Sequence, residues 1–133
     1  MSAFFDTNIL VYAQQNGAKA DKARALLAAG GVLSVQVLNE FAAVASRKLG
    51  KEWDEIGEAI EDALVLVDPP LPLTLTLHAV AREIARDHRF GFYDALIVAA
   101  ALDAGCDTLF SEDLQGGRAF GMLKIVNPFR AAG

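Results

Sequence analysis

The chain has 133 residues, 53% of them hydrophobic and 22% charged, with a formal net charge of −5. That length supports one ordinary domain with a real core, residues 1–133, and excludes two of typical size; the composition excludes a disordered polymer. The longest apolar run, Ala95 to Leu102, spans eight residues, far short of the roughly 20 needed to cross a bilayer, so no membrane span is expected.

The first residues carry no basic stretch, and Asp6 interrupts their apolar character, which does not read as a secretory signal. Cys106 is the only cysteine. An internal disulfide is therefore excluded, and a reducing cytoplasm is the expected location. The negative balance opposes binding to a polyanion, because such binding is driven by Lys and Arg on phosphates. Neutralising a group of acids with divalent cations would leave the rest of the surface close to balanced.

In chain order, Ala3 to Phe5 reads as a short buried strand, and Thr7 to Gln14 as a helix with Asp6 or Thr7 as its N-cap. A second helix over Lys19 to Ala29 closes at Gly30-Gly31, and Val32 to Ser34 reads as another short strand. From Val35 to Leu49 the apolar residues recur at helical spacing, with Glu40 beside the apolar face. Trp53 to Leu64 is expected to pair with it, and Val65 to Val67 to form a strand ending at Asp68-Pro69-Pro70. Leu75 to Asp87 reads as a helix with Arg82, Arg86 and Arg89 on one stripe. Tyr93 to Ala104 is so apolar that it belongs at the centre, and Thr108 to Ser111 and Leu123 to Val126 supply the last strands.

Short apolar strands alternating with helices, without a period of two, indicate a parallel sheet covered on both faces and an α/β fold. Ligands of such sheets bind beyond the carboxyl ends of the strands. Asp6 follows the first strand, Asp94 starts the helix feeding a later strand, and Asp113 follows that strand, so all three are expected at one edge.

Each acid has a plain local explanation. Asp6 caps a helix, Asp94 suits a helix dipole, Asp113 suits a turn, and Glu40 could pair with Arg47 or Lys48. Four unrelated caps have no reason to share one sheet edge, whereas a metal site requires it. Carboxylates brought together either bind a cation or have raised pKa values, and an all-oxygen donor set suits Mg²⁺ or Mn²⁺. Such an ion can lower the pKa of a water and orient a phosphate. Thr7, Asn8 and Ser111 are the polar neighbours able to orient these groups. The arginine stripe, with Arg47, Lys48 and Lys51, could guide a nucleic-acid backbone or simply form a solvated face. His78, His88 and Cys106 lack zinc-ligand spacing, and neither a phosphate-binding glycine loop nor a nucleophile elbow is present in the sequence.

Phe4-Phe5-Asp6-Thr7-Asn8, Asn39-Glu40-Phe41, Tyr93-Asp94-Ala95-Leu96-Ile97-Val98-Ala99-Ala100-Ala101, Leu109-Phe110-Ser111-Glu112-Asp113-Leu114 and the closing Ile125-Val126-Asn127-Pro128-Phe129 resemble in order and spacing the signatures of the PIN domain family, most closely its VapC-like toxins. The resemblance spans essentially the whole chain. It implies a three-layer α/β/α sandwich around a mostly parallel sheet. It also implies a Mg²⁺- or Mn²⁺-dependent endoribonuclease, the toxin of a toxin–antitoxin pair, homodimeric and blocked by an antitoxin. On matching positions Asp6 and Asp94 would be metal ligands, Glu40 a further ligand or water-positioning group, and Asp113 the fourth acid, with Thr7, Asn8 and Ser111 in support. The Ser-x-Asp pattern favours Asp113 over the adjacent Glu112.

Two other readings of the same residues remain open. One is a non-catalytic module of this fold that binds RNA or protein. The other is a haloacid-dehalogenase-type phosphatase, which would require an acid two positions after Asp6, where Asn8 stands.

Overall fold

A computed structural model of the protein describes residues 2–114 and 116–130. The elements are β1 (Ala3–Phe5), α1 (Thr7–Ala13), α2 (Ala18–Ala28), α3 (Val35–Arg47), α4 (Trp53–Leu66), α5 (Leu75–His88), α6 (Phe92–Asp103), β2 (Thr108–Phe110), β3 (Ala119–Phe120) and β4 (Leu123–Val126). The sheet order is β1-β2-β4-β3. Strands β1 and β2 are parallel with Phe5 opposite Phe110, β2 and β4 are parallel with Phe110 opposite Val126, and only β3 runs antiparallel, against β4. This mostly parallel sheet flanked by helices is the expected α/β sandwich.

Strands buried on both faces need no alternation, and β1 has none: Ala3, Phe4 and Phe5 are all buried. Helix α6 obeys the same logic, with every residue from Ala95 to Ala101 buried. Its four alanines in that run let the helix lie close to its neighbours. Helices α5 and α6 pack together, while α1 packs against both α2 and α3. Ser34 and Thr74 start α3 and α5 by accepting from the backbone N–H groups of Val37 and Leu77, and α4 opens with a reciprocal Glu52/Glu55 capping box.

Three details differ from the expectation. Val65 to Val67 is not a strand: α4 continues to Leu66, and Val65 is 84% exposed. The β-branched residues there have no strand to pair with, because the Ser34 segment bridges Leu71 instead. Val32 to Ser34 runs beside β1 through a bridge from Phe4 to Val32 without forming a full strand. The two-residue β3 is too short to leave a pattern in the sequence.

Gly31 brings the Val32 segment against β1. A Cβ at Gly31 would lie 2.8 Å from the backbone oxygen of Ala3 and 2.6 Å from Cε2 of Phe5, so only glycine fits without displacement there.

Candidate active site

The carboxyl ends of β1 and β2 lie side by side, and Asp6 and Ser111 leave them together. The ladder continues past the strands, since Asp6 N–H donates to Phe110 O and Ser111 N–H to Val126 O, both at 3.0 Å. Asp6 both caps α1 and lines the cleft at this edge. Its Oδ1 accepts from Thr7 N–H at 2.7 Å, and its Oδ2 accepts from the Ser111 hydroxyl at 2.6 Å. Both Asp6 and Ser111 are buried.

Asn8, in the first turn of α1 and also buried, ties the next loop to this pair. Its Oδ1 accepts from Glu112 N–H at 3.2 Å, and its Nδ2 faces Asp113 Oδ2 at 3.3 Å, with Asp6 Oδ2 and Ser111 Oγ each at 3.5 Å. Ser111 Oγ also accepts from Leu114 N–H at 3.1 Å. The Ser111-to-Leu114 loop is thus fastened to α1 by side chains.

Glu40 projects from α3, half-buried, with Gln36 Nε2 donating to its Oε2 at 3.4 Å. Asp94 stands in the first turn of α6, where the helix dipole favours a carboxylate. Asp6, Glu40, Asp94 and Asp113 all line one cleft of about 340 Å³, together with Thr7 and Asn8. Lys48, at the end of α3, is the basic residue among the lining side chains.

The charges in the cleft act on one another. Burial pushes the Asp6 carboxyl up to about 6; the Ser111 and Thr7 donors oppose this, and the charges of Asp113 and Asp94 add to it. Burial, then the charge of Asp6, pushes Glu40 up to about 7, with Asp94 adding and Gln36 opposing. Asp94 is open to solvent yet also raised, by partial desolvation at the cleft wall and then by Asp113. Burial is the larger cause for each, and the neighbouring carboxylates add to it, as expected where acids share a cleft.

The donors are all oxygen, which fits a hard divalent cation and not zinc. As they stand they are not a finished cage: among the described residues no three His, Cys, Asp or Glu side chains converge closely enough to hold an ion unaided. The donor chemistry fits Mg²⁺ or Mn²⁺; the coordination shell is incomplete.

Glu112 also borders the cleft, but its charge is occupied. Tyr12 OH donates to its Oε1 and Lys19 Nζ lies 2.6 Å from its Oε2, and these donors hold its carboxyl below the usual range. Asp113 is the acid of this loop that acts electrostatically on Asp6 and Asp94. Arg82, Arg86 and Arg89 are not among the residues lining the cleft. Arg82 and Arg86 border a separate groove on α5, Arg86 pairs with Asp87, and Arg89 caps α5 in the left-handed conformation, φ 57°.

Tyr12 and Gln36 escaped the sequence reading. Gln36 stands four residues before Glu40 on the same helix face, so the helical spacing of 3.6 held its signal, whereas Tyr12 acts on Glu112, 100 positions away, and no local spacing marks it.

A family model for the PIN domain matches residues 3–116. The chain belongs to the PIN domain family. In fold it is similar to VapC20 of Mycobacterium tuberculosis, a sarcin-ricin loop cleaving toxin, with a TM-score of 0.69 at 24% identity over 84% of this chain and 92% of that one. It is similar also to VapBC2 from Rickettsia felis, solved bound to a DNA fragment from its promoter, with a TM-score of 0.69 at 20% identity over 94% and 97% of the two chains. A toxin–antitoxin complex from Klebsiella pneumoniae gives a TM-score of 0.73 at 18% identity over 98% and 100%. No curated protein matches the sequence.

Proposed function

We infer that the protein is a metal-dependent endoribonuclease, the toxin of a type II toxin–antitoxin system. One observation carries this reading: Asp6, Glu40, Asp94 and Asp113, far apart in sequence, line a single cleft, where burial first and neighbouring carboxylates second push Asp6, Glu40 and Asp94 above their ordinary values. Family membership supports it, and the structural likeness to proteins described as toxins or toxin–antitoxin complexes agrees with it.

Asp6, Asp94, Glu40 and Asp113 would hold Mg²⁺ or Mn²⁺. When bound, such an ion supplies charge to the scissile phosphate and acidifies a water. Asp6 is fixed for this by Thr7 N–H and Ser111 OH, which leave its carboxylate little freedom. Glu40, held by Gln36, would serve as a further ligand or position the attacking water. Lys48 would take a non-scissile phosphate of the RNA, and Arg82, Arg86 and Arg89 the strand beyond the cleft.

The exposed Trp53, Leu75, Tyr93 and Met122 fit a chain that covers apolar surface in a homodimer and against an antitoxin. A cytoplasmic location fits the lone cysteine, Cys106, which is buried and free; among the described residues no helix is long and apolar enough to cross a membrane.

The second reading, a PIN-fold module that binds without cutting, is favoured by the incomplete ligand shell. Incubating RNA with the purified protein, with and without Mg²⁺ or Mn²⁺, separates the two. The nuclease requires divalent-dependent cleavage that Asp6→Asn and Asp94→Asn each reduce by more than about a hundredfold, beyond the 10–100-fold typical of outer-shell changes. Binding of RNA that is indifferent to the ion, with no cleavage, favours the module.

A further inference from the structure

Glu112 is held at three atoms. Its N–H donates to Asn8 Oδ1 at 3.2 Å, one carboxylate oxygen accepts from Tyr12 OH, and the other meets Lys19 Nζ at 2.6 Å. Lys19 is itself seated over aromatic rings, 5.0 Å from the centroid of Tyr12 and 5.8 Å from that of Phe129. Those two rings meet edge to face at 4.9 Å. Helix α1 and helix α2 therefore converge on one carboxylate of the Ser111-to-Leu114 loop, and the segment after β4 packs against the two side chains that reach it.

Stability does not explain this investment in contacts. The Lys19 and Glu112 side chains are 51% and 24% exposed, and ion pairs at such exposure contribute little. Location explains it better. Ser111 before Glu112 is fixed to Asp6, Leu114 after it is fixed to Ser111 Oγ, and Asp113 lies between with its Oδ2 facing Asn8 Nδ2 at 3.3 Å. A loop fastened at Ser111, Glu112 and Leu114 gives Asp113 one direction, into the cleft.

We propose that Tyr12, Lys19 and Glu112 form a positioning network that holds Asp113 toward the divalent cation while keeping the adjacent Glu112 carboxylate engaged elsewhere. This rests on the reading of the cleft as a Mg²⁺ or Mn²⁺ site. Partners that orient ligands typically matter 10–100-fold in metal affinity. The network reaches the site through one peptide unit, so its effect belongs on cation affinity and loop order.

The test compares Lys19→Met with Lys19→Arg, which keeps the charge, in the full chain without RNA. Mn²⁺ binding is followed by electron paramagnetic resonance, amide exchange by NMR in the metal-free protein, and the fold by thermal melting. Lys19→Met is expected to weaken Mn²⁺ binding about tenfold and to speed exchange at the Glu112 and Leu114 amides while leaving the β1 and β2 amides protected. Lys19→Arg restores most of the affinity. Wild-type affinity and exchange in Lys19→Met overturn the network, as does faster exchange spread over the whole sheet, which marks a purely structural role. A wild-type protein that binds no Mn²⁺ overturns the reading of the cleft and the network with it; normal wild-type binding beside an unaffected Lys19→Met overturns the network alone.

Discussion

The hydroxyl of Ser111 donates to Asp6 Oδ2 at 2.6 Å across 105 positions of sequence. The bond joins the first residues beyond two adjacent parallel strands, whose last residues, Phe5 and Phe110, are register partners with stacked rings. Removing it by Ser111→Ala leaves a buried carboxylate short of a donor. A hydrogen bond to a charged group contributes about 1.5–3 kcal/mol, so the loss is expected in that range at pH 8 in metal-free protein. It should shrink at pH 5, where Asp6 is largely protonated. Denaturant unfolding at the two pH values checks it; an equal loss at both contradicts the assignment.

Metal-free protein should lose stability as pH rises. Asp6 and Glu40 move from ordinary values of 3.8 and 4.5 up to about 6 and about 7 on folding. Folded pKa values above the unfolded ones mean that the folded state binds protons more tightly, so their contribution is present below about pH 4 and fades through about pH 7. Melting in EDTA should fall from pH 5 to pH 8, and Asp6→Asn should flatten the profile. Added Mn²⁺ should raise the melting temperature far more at pH 8 than at pH 5. A profile that is flat in EDTA and unmoved by Mn²⁺ would contradict the shared-charge account.

Lys48 borders the acids and is itself exposed. If it contacts a phosphate of single-stranded RNA, Lys48→Ala should raise KM with little change in kcat. It should also flatten the dependence of log affinity on log salt by about 0.7, the increment for one contact. The same salt series on Arg82→Ala and Arg86→Ala tests whether the α5 stripe, outside the cleft lining, carries RNA at all.

Gly31→Ala is expected to destabilise by about 1–3 kcal/mol, the usual cost of overpacking. The new methyl would press on the Ala3 carbonyl, which is backbone and cannot rotate away, as well as on the Phe5 ring. Urea unfolding is the measurement. An unchanged midpoint would show that the Val32 segment can retreat from β1.

The helices were legible because their apolar spacing and caps are local properties. Ser34 and Thr74 cap where a Ser or Thr precedes a periodic run, and the all-apolar α6 is central because no face of it suits water. Short strands were less so: β-branched Val65 and Val67 read as extended, but strand formation depends on a neighbour that only the tertiary fold supplies. At the site, the four acids could be picked out because each interrupts an apolar segment. The roles of Tyr12 and Lys19 could not, since their shared target, Glu112, lies 93 residues beyond Lys19. The Ser-x-Asp pattern favoured Asp113 over Glu112, and the partners of Glu112 supply a reason that no local pattern carries.

The pairing of β1 with β2 also sets the order in which the cleft can assemble. Asp6 precedes Ser111 by 105 positions, and β4 must follow for β2 to gain its second neighbour. The four acids therefore cannot share a cleft until the segment carrying Ser111 and Asp113 has joined the chain and found its place beside β1.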